Sequence, residues 1–273
     1  MSSSYRPDSG ITGRRLDGDA SHEALGDLHL AADAFASAIE AYHAALAEQP
    51  RDAVRDRVRL MLRIARVEML RGRPADGLAM AHAAHALARP LQDAQLGAQV
   101  AAGLAILEVE RGAPRRALRY ARWAYAVLRD TDQHVLVAWI SLAMGYALAR
   151  TGQPAAAIEW LQSAAATFRR VELADGLVSA LNNLGLVHKN LREWREAIRH
   201  LEQALEIDAR HGLFARMRGH HQNLGLIRYR LGQWSAAEAH FQQSLRIARD
   251  VAHGPGEAGA KLALGLLARR QRR

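Results

Sequence analysis

The segment LNNLGLVHKNLREWREAIRHLEQALEID, residues 181–208, places apolar residues three and four apart in two runs, with a short polar stretch between them. That spacing is the 3.6-residue period of an amphipathic helix, so the segment predicts two helices joined by a tight turn. The segment QNLGLIRYRLGQWSAAEAHFQQSLRIA, residues 222–248, writes the same pattern again forty residues later. Runs of Val, Ile and Thr with period two, which would mark strands, do not occur, and an all-helical chain is expected.

The copying extends along the chain. Gly185 and Gly225 are 40 apart, and the same step reaches Gly145 and Gly265, then Ala105 and Ala65, with Gly26 one step of 39 earlier. A second series, Ala38, Gly77, Ala117, Ala157, Ala197 and Ala237, lies 12 residues after the first. One small residue on each helix marks a close crossing of paired helices. Gly72, Gly112, Gly152 and Gly232 stand where a left-handed helix-stop glycine belongs, and Pro74, Pro114 and Pro154 follow two residues later, where proline is best tolerated as the first residue of a new helix. In the remaining units Phe35, Trp194 and Trp234 take the proline position, as aromatics packed against the neighbouring helix.

A hairpin of this kind cannot bury its apolar face alone, so successive hairpins must stack. Six are expected, near 20–50, 53–90, 92–130, 133–171, 174–211 and 214–251, followed by an unpaired capping helix over 257–270 carrying Leu262, Leu264, Leu266 and Leu267. The Ser-, Gly-, Asp- and Arg-rich residues 1–19 are expected to be a disordered tail, and 271–273 a short basic one.

Composition changes this picture in two respects. The hydrophobic fraction is 49% but the aromatic fraction only 5%, so the apolar surface is mostly Ala and Leu. The absence of cysteine excludes disulfides, thiolate catalysis and cysteine-based zinc sites, and fits a cytoplasmic protein. Neither a secretory signal nor a membrane span is expected, since no apolar run is long enough. The net charge of +9 is nearly all arginine, Lys189 and Lys261 being the two lysines. It has two readings, an acidic partner or the coding bias of a GC-rich genome.

A period of 40 lies above the common tetratricopeptide length and touches the HEAT and armadillo range. The internal signature decides. Leu184, Gly185, Ala197, Leu201 and Ala204 match the L-G…A…F/Y/L…A pattern of a tetratricopeptide repeat, Leu224, Gly225, Ala237, Phe241 and Ser244 repeat it, and Ala38, Tyr42, Ala45 and Pro50 show its second half. Over roughly residues 20–270 the chain resembles the longer-repeat branch of the tetratricopeptide family, similar to the modules of kinesin light chains, cell-polarity adaptors and bacterial regulators of the maltose-regulon-activator type.

The resemblance implies a right-handed superhelix whose first helices line a concave groove for peptides or protein segments. Carried over by position, the groove residues are Arg59, Leu62, Arg63, Arg66 and Met69; Gln99, Ala102, Ile106 and Glu110; Trp139, Leu142, Tyr146 and Arg150; Ser179, Asn182, Asn183, Lys189 and Asn190; and Gln222, Asn223, Tyr229 and Arg230. Asn183 and Asn223 hold equivalent places, and an amide there can pair with a peptide backbone whatever its sequence. Arg59, Arg63 and Arg66 fall on one helical face and suit carboxylates. The Lys/Asn and Lys/Arg arrangement of the chaperone-tail binders is missing from the first three units.

Thirteen histidines raise a metal or catalytic reading, but neither His82/His85 nor His220/His221 has an accompanying carboxylate pattern, and His200 and His240, forty apart, read as a periodic surface feature. No phosphate-loop, dinucleotide or nucleophile-elbow motif occurs. The expected function is therefore a non-catalytic protein-binding scaffold without cofactor or metal, serving as a sensor or regulatory module of a bacterial signalling or transcription system. Two alternatives remain: a nucleic-acid binder using Arg115, Arg119, Arg122 and the terminal ARRQRR, and a self-associating structural solenoid.

Overall fold

The computed structural model describes residues 21–32 and 34–271, so the tail expected at 1–19 lies outside the described residues, and of the basic tail expected at 271–273 only Gln271 is described, as the last residue of a helix. These residues form two compact units, one through Pro90 and one from Leu91. The first holds two hairpins, α1 (His22–Ala31) with α2 (Phe35–Glu48) and α3 (Val54–Leu70) with α4 (Pro74–Ala88). The second holds four, α5 (Ala94–Glu110) with α6 (Pro114–Leu128), α7 (His134–Arg150) with α8 (Pro154–Arg170), α9 (Ala174–Asn190) with α10 (Trp194–Arg210) and α11 (Phe214–Arg230) with α12 (Trp234–Asp250), and ends on α13 (Gly254–Gln271). Among the described residues there is no strand, and the chain is an all-α helical-repeat solenoid.

Pro74, Pro114 and Pro154 are each the first helical residue, and Trp194 and Trp234 take that place in α10 and α12. The turn before Pro154 shows the stop signal at work: Gly152 has φ +84°, and the N–H of Gln153 reaches back to the carbonyl of Leu148 at 2.9 Å. A second set of left-handed residues, Gln92, Glu172, Gly212 and Ala252, ends the second helices. Only one of the four is glycine, which hides the series from a sequence reading.

The helix crossings obey a size rule. Gly145, Gly185 and Gly225 lie directly over Leu161, Leu201 and Phe241, and a Cβ on Gly185 would sit 2.7 Å from Leu201 Cγ and 3.3 Å from the Ala197 carbonyl oxygen. Where the first residue is alanine, as at Ala65 and Ala105, the residue 16 later is also alanine, Ala81 and Ala121. All of these partners are buried. Glycine faces a large side chain and alanine faces alanine, so the crossing keeps close packing with two different residue pairs. The alanines therefore preserve the repeat.

Candidate functional site

In the second unit α5 packs on α7, α7 on α9, α9 on α11 and α11 on α13, so the first helices form one continuous layer. On that layer a cavity of about 290 Å³ is lined by Ile106, Val109 and Glu110 of α5, Trp139, Leu142, Ala143 and Tyr146 of α7, and Ser179, Asn182 and Asn183 of α9. Its apolar wall is held rigidly: Trp139 meets Phe168 edge-on at 4.9 Å between ring centres. Its polar wall is divided in role. Asn182 Oδ1 lies 3.2 Å from His220 Nδ1, whereas the half-buried Asn183 amide has no intramolecular partner among the described residues.

The Asn182 contact belongs to a chain of polar groups. His220 Nε2 is 3.1 Å from Asp208 Oδ2, the other Asp208 oxygen is 3.6 Å from Arg216 Nε, and Arg216 closes on Asp175 of α9 at 2.5 Å. Asp208 is fully buried, so an imidazole and a guanidinium stand where water would otherwise solvate its charge. The network ties α9, α10 and α11 together and fixes the orientation of one cavity amide.

Farther along the layer the equivalence of Asn183 and Asn223 breaks, because the Lys189 ammonium donates to Asn223 Oδ1 at 2.9 Å. Burial holds the Lys189 ammonium below the ordinary lysine value, and no carboxylate accompanies it. Gln222 is half-buried and its Oε1 is buried without a partner. Tyr229 stands edge-on to Trp234 at 5.5 Å, and Asn190 and Arg230 are exposed.

In the first unit two of the three arginines meet carboxylates of their own chain. Arg59 pairs with Glu23 and, at 3.3 Å, with Asp56; Arg63 pairs with Asp27 and lies 5.8 Å over the Tyr42 ring. Arg66 is exposed. Burial works to raise the Asp27 carboxyl, but hydrogen bonds from Tyr42 and Arg63 and the charge of Arg63 outweigh it and hold it below the usual carboxylate value. Burial first, then the bond to Asp27, pushes the Tyr42 phenol up to about 12. The sequence offered these arginines to a partner; α1 supplies two of them with internal counter-ions.

The histidines also depart from their expected role. His200 is buried and stacks on His188 at 5.4 Å, and His221 Nδ1 lies 3.0 Å from His240 Nδ1. His200 is therefore an interior group, while His221 and His240 are half-buried. Among the described residues no three His, Asp or Glu side chains gather as a metal site would require.

Stacked hairpins with a lined face place the chain in the class of helical-repeat proteins, whose fold supports an interaction scaffold. Two family models, each described as tetratricopeptide repeat, match residues 136–210 and 221–254, so the chain carries tetratricopeptide repeats over those residues. Among solved structures it is similar to BtubC (BKLC) from P. vanneervenii, at 20% identity over 84% of this chain and 92% of that one, with TM-score 0.60. It is also similar to the apo form of RapI, at 16% identity over 92% and 71%, with TM-score 0.69. A Rap protein complexed with Competence and Sporulation Factor matches at 14% identity over 91% and 74%, with TM-score 0.63. No curated protein matches the sequence.

Proposed function

We propose that the protein is a non-catalytic scaffold that holds a segment of a protein partner on the first-helix face of its second unit. The observation that carries this is the cavity in which an unpartnered Asn183 amide faces the apolar wall of Trp139, Leu142 and Tyr146. The amide offers one donor pair and one acceptor to a backbone, and the wall takes an apolar side chain beside it. The similarity to a Rap protein solved with a bound factor supports the reading at the level of fold. The same scaffold role fits a cytoplasmic sensor or regulatory module.

The test is site-specific photo-crosslinking in lysate of the source cell, with a benzophenone residue at Ile106 in the cavity or at Arg119 on the exposed surface of α6. A protein crosslinked from 106 alone, and lost in Asn183→Ala/Tyr146→Ala, supports the reading. Crosslinking from 119 alone overturns it. That outcome would favour the α6 surface, where Arg115, Arg119 and Arg122 are exposed and Trp123 is 45% accessible beside them, a combination suited to nucleic-acid phosphates and bases.

A further inference from the structure

The residue that follows the crossing position in each first helix of the second unit is Ile106, Tyr146, Leu186, Leu226 and Leu266, each 40 after the last. All five are apolar, and none is buried. Ile106 and Tyr146 line the cavity, while Leu226 is 39% and Leu266 50% exposed. In the first unit the corresponding residues are Asp27 and Arg66, so the row is not a demand of the repeat itself. Scattered exposed apolar residues are ordinary, but five half-buried or exposed ones in register form a ladder that crosses the layer at one rung per helix.

Packed helix axes lie about 8–10 Å apart, which sets the rung spacing. An extended peptide, at about 3.3 Å per residue with alternate side chains on opposite faces, brings same-face side chains every ~6.6 Å and falls out of register with such rungs. A helix advances about 10.5 Å in seven residues and returns its side chain to nearly the same face. One heptad per repeat therefore matches the ladder.

Charge chooses the flank of that helix. One edge of the ladder is formed by the last turns of the first helices, where α5 ends on Glu110 and α7, α9, α11 and α13 carry the cations Arg150, Lys189, Arg230, Arg269 and Arg270. None of these has a carboxylate partner among the described residues. The C-terminal dipoles of α5, α7, α9, α11 and α13 supply roughly half a negative charge each, so with Glu110 the edge keeps an excess of about one to two positive charges, carried on α7 to α13. The opposite edge holds the neutral amides Asn182, Asn183 and Gln222.

We infer that the occupant of this face is an amphipathic α-helix of a partner protein, with apolar residues at heptad spacing and carboxylates along one side of that stripe. This deepens the scaffold reading above and rests on it.

The experiment measures fluorescence polarisation of three stapled 22-residue peptides against the full chain. The first carries Leu at positions 1, 8, 15 and 22 with Glu along one flank, the second carries the same residues with Leu every fifth position, and the third replaces Glu by Lys. The heptad Glu peptide is expected to bind at least about tenfold more tightly than either comparator. Leu226→Ser/Leu266→Ser and Arg150→Gln/Arg230→Gln, each with unchanged helical circular dichroism and melting, are each expected to lose about tenfold. Equal binding of the three peptides, no binding by any, or indifference to both variants overturns the inference. A partner crosslinked from position 106 alongside such a failure leaves the scaffold reading standing and assigns the face to another kind of segment; failure of both experiments removes both.

Discussion

The size rule at the helix crossings makes a quantitative prediction through Gly185 and Leu201. Gly185→Ala puts a Cβ 2.7 Å from Leu201 Cγ and 3.0 Å from its Cδ2, closer than packed carbons approach. Overpacking of this size costs about 1–3 kcal/mol, against which alanine recovers up to about 1 kcal/mol of helix propensity, leaving a net loss of about 1–2 kcal/mol. Leu201→Ala empties a fully buried site and costs about 2–5 kcal/mol. In the double variant the leucine carbons that the new Cβ would strike are gone, and only the Ala197 carbonyl oxygen at 3.3 Å remains near it. The pair then copies Ala105 over Ala121, a combination the chain already uses.

The double variant should therefore be more stable than the sum of the singles predicts, by about 1 kcal/mol or more. Urea denaturation of the four proteins, followed by circular dichroism and compared at equal slope, measures this coupling. Singles that add to within about 0.5 kcal/mol, or a Gly185→Ala that is neutral, would show that the crossing tolerates a methyl group and would refute the complementarity argument.

Three further outcomes follow from the interior. Burial, with the neighbouring charges of Arg199 and His188 for His200 and of His240 and His220 for His221, lowers each imidazole to about 4. A lowered folded value means the fold holds the neutral ring, so this contribution is complete above about pH 6.5 and is lost as the pH falls toward 4. Urea melts should show about 2 kcal/mol lost per histidine between pH 7 and pH 5, and a flatter profile in His200→Phe/His221→Phe; equal stability at both pH values in the wild type would refute the burial argument. Asp208→Ala removes the acceptor between His220 and Arg216 and should cost about 3 kcal/mol or more in the same melts, whereas a neutral result would show that water already reaches the carboxylate. Gly152→Ala, held at φ +84° with open space around the new methyl, should cost about 1 kcal/mol by conformation alone, and its crossing contacts should be unchanged by hydrogen exchange.

Much of the fold was legible because the repeat writes its constraints in residue types that have few alternatives. Gly72, Gly112 and Gly152 stop helices, and the prolines two residues later restart them, so turn and register could be read directly. The second set of turns was not legible. Gln92, Glu172 and Ala252 adopt left-handed backbone without being glycine, and their only signal is a 40-residue spacing to Gly212. The internal pairing of Arg59 and Arg63 was hidden for a related reason: Glu23 and Asp27 lie 36 residues away in sequence, and only the stacking of α1 on the next hairpin brings each carboxylate to its arginine. His200 looked like a surface residue because its repeat-mate His240 is polar too, and a stacked pair of buried imidazoles leaves no apolar trace in the sequence.

The candidate face was legible by position but not by state. Asn183 and Asn223 are indistinguishable in sequence, yet Lys189 occupies one and leaves the other unpartnered, a difference set by a side chain 34 residues from Asn223. The apolar ladder shows the converse. Second-helix residues such as Leu161, Leu201 and Phe241 are apolar because the crossing buries them, and stability accounts for them completely. Ile106, Tyr146 and Leu186 are only half-buried and Leu226 and Leu266 are exposed, and exposed leucines add little to the fold that a polar residue with good helix propensity would not. In a repeat protein whose interior is explained position by position, an apolar row that the interior does not use points outward, to the surface of the molecule that covers it.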